Sequence, residues 1–463
     1  MEATSTEKVQ SNAVGELSLR DRLLSGSIWA LVGKVANAFV MLAVNALLAR
    51  LLSPKELGVY FLAFSVVSFG ALLGSLGLNQ VVVRFVAEGL KLRQFQRTRR
   101  VVKVAYVLSV LGASGAGLTY LLLGRIIGDR VFHAPVLAAV AAPVAVWIAV
   151  FVLQTFVAES FRGFSDIRLA TVLGGVGGGL IGGGLLGACL GLLWLLEVRV
   201  DLGTTVLFTV CSSSFTALLG SWWLFRRTIS LPKGDNTNAQ ISVQELLHTA
   251  WPLLIASSTM FIAGEADIWI MGAFRAQQEV AVYGAAARMV LLVGMPLVIL
   301  NSVLPPLIAG MYAEGKRREL ERTLRATATL AGIPAALALA TFIFFGKSIL
   351  GLVYGDYYGA GAAVMALLSL GQLVVVWTGS CGFALAMTGH QRPMMNVTVA
   401  CGIVTIVSGF LVVGPYGGVG VAATTAAGLI ARNVLLLFIF RSKTGIWTHA
   451  GLTGVSELLR LTR

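Results

Sequence analysis

The sequence predicts an all-α polytopic membrane protein with about 12 transmembrane helices, in two six-helix lobes related as parallel repeats around a central cavity. Three observations predict it. The chain is 57% hydrophobic and 12% charged, with a mean hydropathy of +0.85, where soluble domains average roughly a quarter charged residues. Its apolar residues form continuous runs of about 20, enough to cross the hydrocarbon, rather than the alternation of a β-barrel. Its basic residues collect on alternate connections: 25 Lys and Arg fall on one side, 7 on the other and 3 within spans.

The spans are expected near 27–48, 57–80, 102–123, 136–157, 169–194, 204–225, 250–274, 281–308, 325–346, 361–388, 395–414 and 419–440. The polar tail 1–26 precedes them, and the first run is too long for a signal-peptide core, so it is a retained span. A linker at 226–249 divides a first lobe, 27–225, from a second, 250–440. The tail 441–463 carries Leu452, Val455, Leu458 and Leu459 with Arg460 and Arg463, the pattern of a short amphipathic helix on a membrane surface. By the positive-inside rule, both termini face the cytoplasm. The net charge of +14 is thereby assigned to anionic lipid headgroups rather than nucleic acid.

The two halves echo each other. Ala87-Glu-Gly89 matches Ala313-Glu-Gly315, and Gly163 matches Gly389, both 226 residues on; Tyr60 matches Tyr283 at 223. Six intervening spans give both copies one orientation. In the fifth span Gly174, Gly178 and Gly182 form one row and Gly179, Gly183, Gly187 and Gly191 another, the small-residue spacing that lets helices approach closely. Pro252, Pro296 and Pro334 predict kinks. Cys189, Cys211, Cys381 and Cys401 fall within spans without C-x-x-C spacing and read as buried small hydrophobes. Gly346-Lys-Ser348 imitates the end of a phosphate-binding loop, but the residues before it are a helical apolar run. No cofactor or metal is expected, and transport would draw on an ion gradient, the membrane potential or the cargo's own gradient.

Ionisable residues inside a membrane are functional candidates because each costs about 2.5–3.5 kcal/mol on insertion scales. Lys34 lies in the first span. Ser27, Lys34, Met41 and Asn45 fall within about 20° of one line at 100° per residue, with Asn37 about 60° away. Snorkelling accounts for Lys34 but not for the asparagines, and the stripe points to a wet cavity. Glu265 and Asp267 in the seventh span are about 200° apart, so a regular helix cannot aim both into one cavity. Arg288 enters the eighth span at a matching depth. One carboxylate is expected to pair with Arg288 and the other to bind a proton or sodium ion, either assignment being open. Arg84 and Arg432 flank the basic side and read as interface anchors. With Lys34 they could instead form a basic funnel, since guanidinium groups present paired donors that suit phosphate oxygens. The four histidines lie at loops or span ends, leaving no buried histidine relay.

Ala49-Arg-Leu-Leu-Ser-Pro-Lys-Glu-Leu-Gly-Val-Tyr60, followed by Ser75-Leu-Gly-Leu and Arg84, resembles the opening of the polysaccharide repeat-unit flippases (O-antigen and exopolysaccharide) of the multidrug/oligosaccharidyl-lipid/polysaccharide (MOP) exporter superfamily. Asp267-Ile-Trp-Ile-Met-Gly-Ala-Phe, then Glu279-Val-Ala-Val-Tyr283, resembles the family's seventh and eighth helices, with Ala281 where glycine is common. Tyr354-Gly-Asp-Tyr-Tyr-Gly-Ala360 resembles the loop before its tenth. The resemblance implies a multi-pass protein of the bacterial plasma (inner) membrane that works by alternating access. The implied cargo is an undecaprenyl-diphosphate-linked oligosaccharide, moved from inner to outer leaflet for surface polysaccharide such as lipopolysaccharide or exopolysaccharide. Lys34 and Asp267 are the positions that the resemblance carries into cargo binding. A polysaccharide polymerase and a chain-length regulator are the further partners of such a pathway.

Two rivals remain. A drug/cation antiporter of the same superfamily also has 12 helices and buried carboxylates, but the cationic cavity candidates favour an anionic cargo. A polymerase or ligase of the pathway needs a sizeable outer loop for its catalytic residues, and this chain has none by these boundaries.

Overall fold

Continuous apolar runs form helices because the bilayer offers no partner for a free N–H or C=O. The computed structural model describes residues 32–174, 179–198, 200–232, 242–301 and 303–451. The N-terminal tail, the middle of the linker and the amphipathic pattern at 452–463 lie outside the described residues. The chain runs through α1 Val32–Leu51, α2 Pro54–Gly74, α3 Leu78–Lys91, α4 Phe95–Ile126, α5 Pro135–Ala139, α6 Ala141–Gly163, α7 Ile167–Leu173 and α8 Gly179–Leu195. It continues through α9 Leu202–Ile229, α10 Val243–Phe274, α11 Gln277–Leu300, α12 Leu304–Ala313, α13 Arg317–Tyr354, α14 Ala362–Thr378, α15 Cys381–Met387 and α16 Gln391–Thr444. No strand occurs among the described residues. Ten of these helices are long and apolar enough to cross a membrane; α8 is apolar but shorter. The protein is a multi-pass membrane protein.

Ser53-Pro-Lys-Glu56 opens α2 as a capping box. The Ser53 hydroxyl accepts from the Glu56 N–H, the Glu56 carboxylate accepts from the Ser53 N–H at 3.1 Å, and Pro54 fills the first turn, where no donor is needed. The other Glu56 oxygen accepts from the Leu202 N–H at 3.4 Å, tying α2 to the start of α9.

Several expected spans are interrupted, though not at Pro252, Pro296 or Pro334, through which α10, α11 and α13 continue. Span two breaks at Ser75–Gly77, where Leu76 and Gly77 have φ of 51° and 75°, and in span eight one helix ends at Leu300 and the next begins at Leu304. The helix-ending residues Ser75 and Asn301, and the restarting residues Leu78 and Leu304, are again 226 apart. Span five breaks after Gly174 and resumes at Gly179, whose φ is 71°.

Span ten breaks at Gly379, with φ 72°. There the Ala450 N–H donates to the Trp377 carbonyl at 2.8 Å and the Thr448 hydroxyl to that of Thr378 at 2.6 Å. The segment after α16 thus satisfies carbonyls that the end of α14 leaves open.

α16 has 54 residues with one non-helical position, Gly417 (φ 56°, ψ −145°). At 1.5 Å per residue a straight helix of that length would run about 80 Å, far more than the roughly 30 Å hydrocarbon. It is a hairpin instead. Thr405 lies against Gly428 and Thr424 against Gly409, pairings that mirror about Gly417. Arg275 sits at the turn, its Nη1 donating to the Gly414 carbonyl at 3.4 Å.

Contacts between the two halves of the chain run chiefly from α2 and α3 to α10 and α11. α2 and α10 lie antiparallel: Leu62 meets Gly272, Phe69 stacks on Phe261 at 5.7 Å, and Gly77 abuts the Ala250 carbonyl. A Cβ on Gly58 would come within 1.9 Å of the Gln277 carbonyl oxygen, so α2 and α11 touch backbone to backbone there. One large apolar core spans this seam. Two smaller clusters surround α3 and α12, at the end of the bundle that carries the basic connections.

Candidate functional site

Helix α11 carries Arg288 to the seam. Its guanidinium lies over the Phe61 ring, 3.5 Å from the centroid, and Nη1 donates to the Gly284 carbonyl at 3.1 Å. Gly284 makes room, since a Cβ there would lie 2.3 Å from the Phe61 ring. No ion pair joins Arg288 to Glu265 or Asp267, although Glu265 lies within its electrostatic range. The expected salt bridge does not form. Similar depth on neighbouring helices fixes height, whereas the angle around each axis decides contact.

Arg288 instead lines a cleft of about 430 Å³, open solvent included. Asn45 of α1, Tyr60 and Phe64 of α2, Trp147 of α6, and Thr209 and Ser213 of α9 also line it. Tyr60 and Phe64 pack on Trp147 with centroids at 5.8 and 5.9 Å, giving one wall an aromatic surface. The polar groups of the other walls are mostly turned to their own helices. Asn45 Nδ2 donates to the Met41 carbonyl at 2.7 Å, and the Thr209 hydroxyl to that of Thr205 at 2.9 Å. Arg288 is therefore a half-buried cation with most of its donors uncommitted to protein. Such a group is costly unless water or an anion meets it.

The two carboxylates of α10 face different surroundings, as their angular separation requires. Glu265 points at α2: the Ser65 hydroxyl donates to its Oε2 at 2.7 Å, and the Trp269 indole N–H donates to the Ser65 oxygen at 2.8 Å. Asp267 points at α16 and lines a second cleft of about 260 Å³ with Thr405, Thr424 and Thr425. Its Oδ2 accepts from the Tyr283 hydroxyl at 2.7 Å and its Oδ1 from the Ile268 N–H at 2.8 Å.

The remaining candidates are dispersed. Lys34 and Asn37 are half-buried on α1 and line neither cleft; Arg162 lies within electrostatic range of Lys34. Arg84 is exposed on α3, its guanidinium 5.9 Å from the Phe85 ring centroid. Arg432 is half-buried on the second arm of α16, near Cys381 and Cys401. The structure thus joins Asn45 to Arg288 and leaves Lys34, Arg84 and Arg432 apart from that cleft.

Sequence reasoning missed the cleft's aromatic wall and a buried hydroxyl row on α9: Thr205, Thr209, Ser212, Ser213 and Thr216. The row was visible as polar residues at helical spacing in an apolar run. Ser65 carried no such signal.

Charged groups held at a central seam of membrane-crossing helices are the arrangement in which substrate and ion pathways are found. The fold matches solved transporters at sequence identities that speak to fold alone. The inward-facing conformation of a multidrug resistance MATE family transporter of the MOP superfamily aligns with a TM-score of 0.72 at 15% identity, over 90% of this chain and 98% of that one. A MOP superfamily transporter from Pyrococcus furiosus, described as having a binding pocket of reversed polarity, aligns at 0.59 and 16%, over 92% and 95%.

The polysaccharide biosynthesis protein family model matches residues 23–312, and the MatE model matches 252–411. The chain belongs to the polysaccharide biosynthesis protein family. It is 19% identical over 440 residues to a probable low-salt glycan biosynthesis flippase, Agl15, of Haloferax volcanii, covering 94% of this chain and 88% of that one. It is also 19% identical over 224 residues to the capsular polysaccharide biosynthesis protein CapF of Staphylococcus aureus, covering 48% of this chain and 56% of CapF.

Proposed function

We propose that the protein flips undecaprenyl-diphosphate-linked oligosaccharide repeat units from the inner to the outer leaflet of a bacterial plasma membrane, for surface polysaccharide such as lipopolysaccharide or exopolysaccharide. The observation that carries this reading is Arg288: a half-buried guanidinium without a carboxylate partner, lining a cleft beside the seam between the two halves. A diphosphate would supply the missing anion through paired, charge-assisted hydrogen bonds. Asn45 and the hydroxyls of Tyr60, Thr209 and Ser213 would meet the neighbouring polar atoms. Lys34, Arg84 and Arg432, basic residues away from the cleft, would serve the cargo on its way in rather than at its bound position.

The two halves act as six-helix lobes about the α2–α10 and α2–α11 seam. The two arms of the α16 hairpin and the short helix α8 bring the passes to 12. Both termini face the cytoplasm, as the charge asymmetry requires. Of the two acidic residues, Asp267 is the better coupling group. It lines a separate cleft with threonine oxygens, a setting for a proton or a hard cation such as sodium, while Glu265 is engaged across the seam.

Loss of the protein should strand lipid-linked repeat units on the inner leaflet, measured as extractable undecaprenyl-linked glycan together with missing surface polysaccharide. Arg288→Ala should reduce export about tenfold or more, with Arg288→Lys keeping part of it. Normal surface polysaccharide in the deletion strain, with no other flippase gene present, would sink the reading.

The antiporter reading has the MatE match in its favour. Drug resistance lost on deletion, with surface polysaccharide intact, would establish it.

A further inference from the structure

The bond between Ser65 and Glu265 crosses from α2, in the first half of the chain, to α10, in the second. A third residue orients it. An indole N–H can only donate, so the Ser65 oxygen accepts from Trp269. The single Ser65 proton is donated to Glu265 Oε2 at 2.7 Å. Ser65 is buried at 1% exposure, where a misdirected hydroxyl has no water to turn to. Trp269 is itself held, packed edge-on against Phe69 at 5.3 Å and beside Phe261 at 6.2 Å. Two of these three aromatics stand on α10 and Phe69 on α2, so the ring cluster spans the same seam. Arg288 and Asp267 are the charged groups within electrostatic range of Glu265.

We propose that Ser65 is a positioning residue for the transport motion. Its hydroxyl, oriented by Trp269, holds the Glu265 carboxylate across the seam and sets the balance between the two arrangements of the halves. The bond is charge-assisted, and such bonds are roughly twice as strong as neutral ones. A shift of α2 against α10 must therefore break it or carry it along. The role extends the proposed function by naming what couples the halves, and rests on that reading only in taking their relative movement as the working motion.

The test needs no cargo, so it can fail separately from the flippase reading. Cys189, Cys211, Cys381 and Cys401 are replaced by alanine, and Met41, which lines the first cleft, is replaced by cysteine. The rate of modification by a membrane-impermeant maleimide is then compared between inside-out and right-side-out vesicles. Ser65→Ala and Glu265→Leu, whose side chain is of similar size and cannot accept, should each change the ratio of the two rates by about tenfold or more, since hydrogen bonds to charged groups carry that weight. The double variant should change it no further, because both substitutions remove one interaction. Trp269→Phe should shift the ratio in the same direction, and Ser65→Thr, which keeps the hydroxyl, should stay near the parent. If Ser65→Ala does not fold, Ser65→Gly, which also lacks the hydroxyl and adds no second thiol, carries the same expectation. A ratio unchanged in the single variants, a double variant equal to the product of the singles, or Ser65→Thr behaving like Ser65→Ala would each overturn the proposal. The last outcome would reduce Ser65 to a space-filling contact.

Discussion

Gly58 has no room for a side chain, because the Gln277 backbone carbonyl occupies the place a Cβ would take. Backbone cannot swing aside as a flexible side chain can. Gly58→Ala should destabilise the protein by about 1–3 kcal/mol, the usual range for overpacking. Thermal unfolding of the detergent-purified protein measures it, with Gly115→Ala as a control, since a Cβ at Gly115 meets nothing within 4 Å. Asp267→Asn keeps the shape of the second cleft and removes its charge. It should abolish the dependence of export on the driving ion while leaving cargo binding to Arg288 intact; ion-dependent export surviving in this variant would reject the coupling role. At this scale the sequence revealed the separation of Glu265 from Asp267, because the angle between two positions on one helix follows from helical geometry alone. It did not reveal their partners. Ser65 is 200 positions from Glu265 and looks like any small polar residue in an apolar run. The expected pairing of Arg288 failed for the same reason, since depth is legible in a sequence and azimuth between two helices is not.

Helices were legible as apolar runs and their interruptions were not. Hydropathy averages over a window and is blind to φ, so the run 57–80 reads as one span although Leu76 and Gly77 turn left-handed inside it. Pro252, Pro296 and Pro334 mark no break in their helices. A proline removes one donor and strains one turn, and α10, α11 and α13 absorb that loss, whereas the positive φ at Gly77, Gly379 and Gly417 ends helical geometry outright. Gly417→Ala should be costly chiefly because an L-residue rarely adopts its backbone angles, and a Cβ there would also lie 3.2 Å from the Arg275 guanidinium. Lower thermal stability, with the two arms of α16 no longer protected together in hydrogen exchange, is the expected result. Gly414→Ala, next to open space, should be tolerated.

Across the whole molecule, the short echoes at an offset of 226 anticipated more than similar words. The breaks in the second and eighth spans recur at that same offset, and each is followed by a short helix in its own small apolar cluster. The charge asymmetry adds a prediction on orientation. A reporter active only in the cytoplasm, fused after Arg463, should be active, while one that requires export should be silent; the reverse pattern would invert the proposed topology.

The α16 hairpin bears on how the chain is made. Between its arms lies Val412–Gly420, without a charged residue, where other passes are separated by polar connections. An elongating chain therefore delivers both arms as one uninterrupted apolar stretch, and nothing polar marks where the first should stop and the second begin. The pair is expected to enter the bilayer together, folding at Gly417 as it inserts, so that the last step of biogenesis is the arrival of a preformed hairpin rather than of two successive helices.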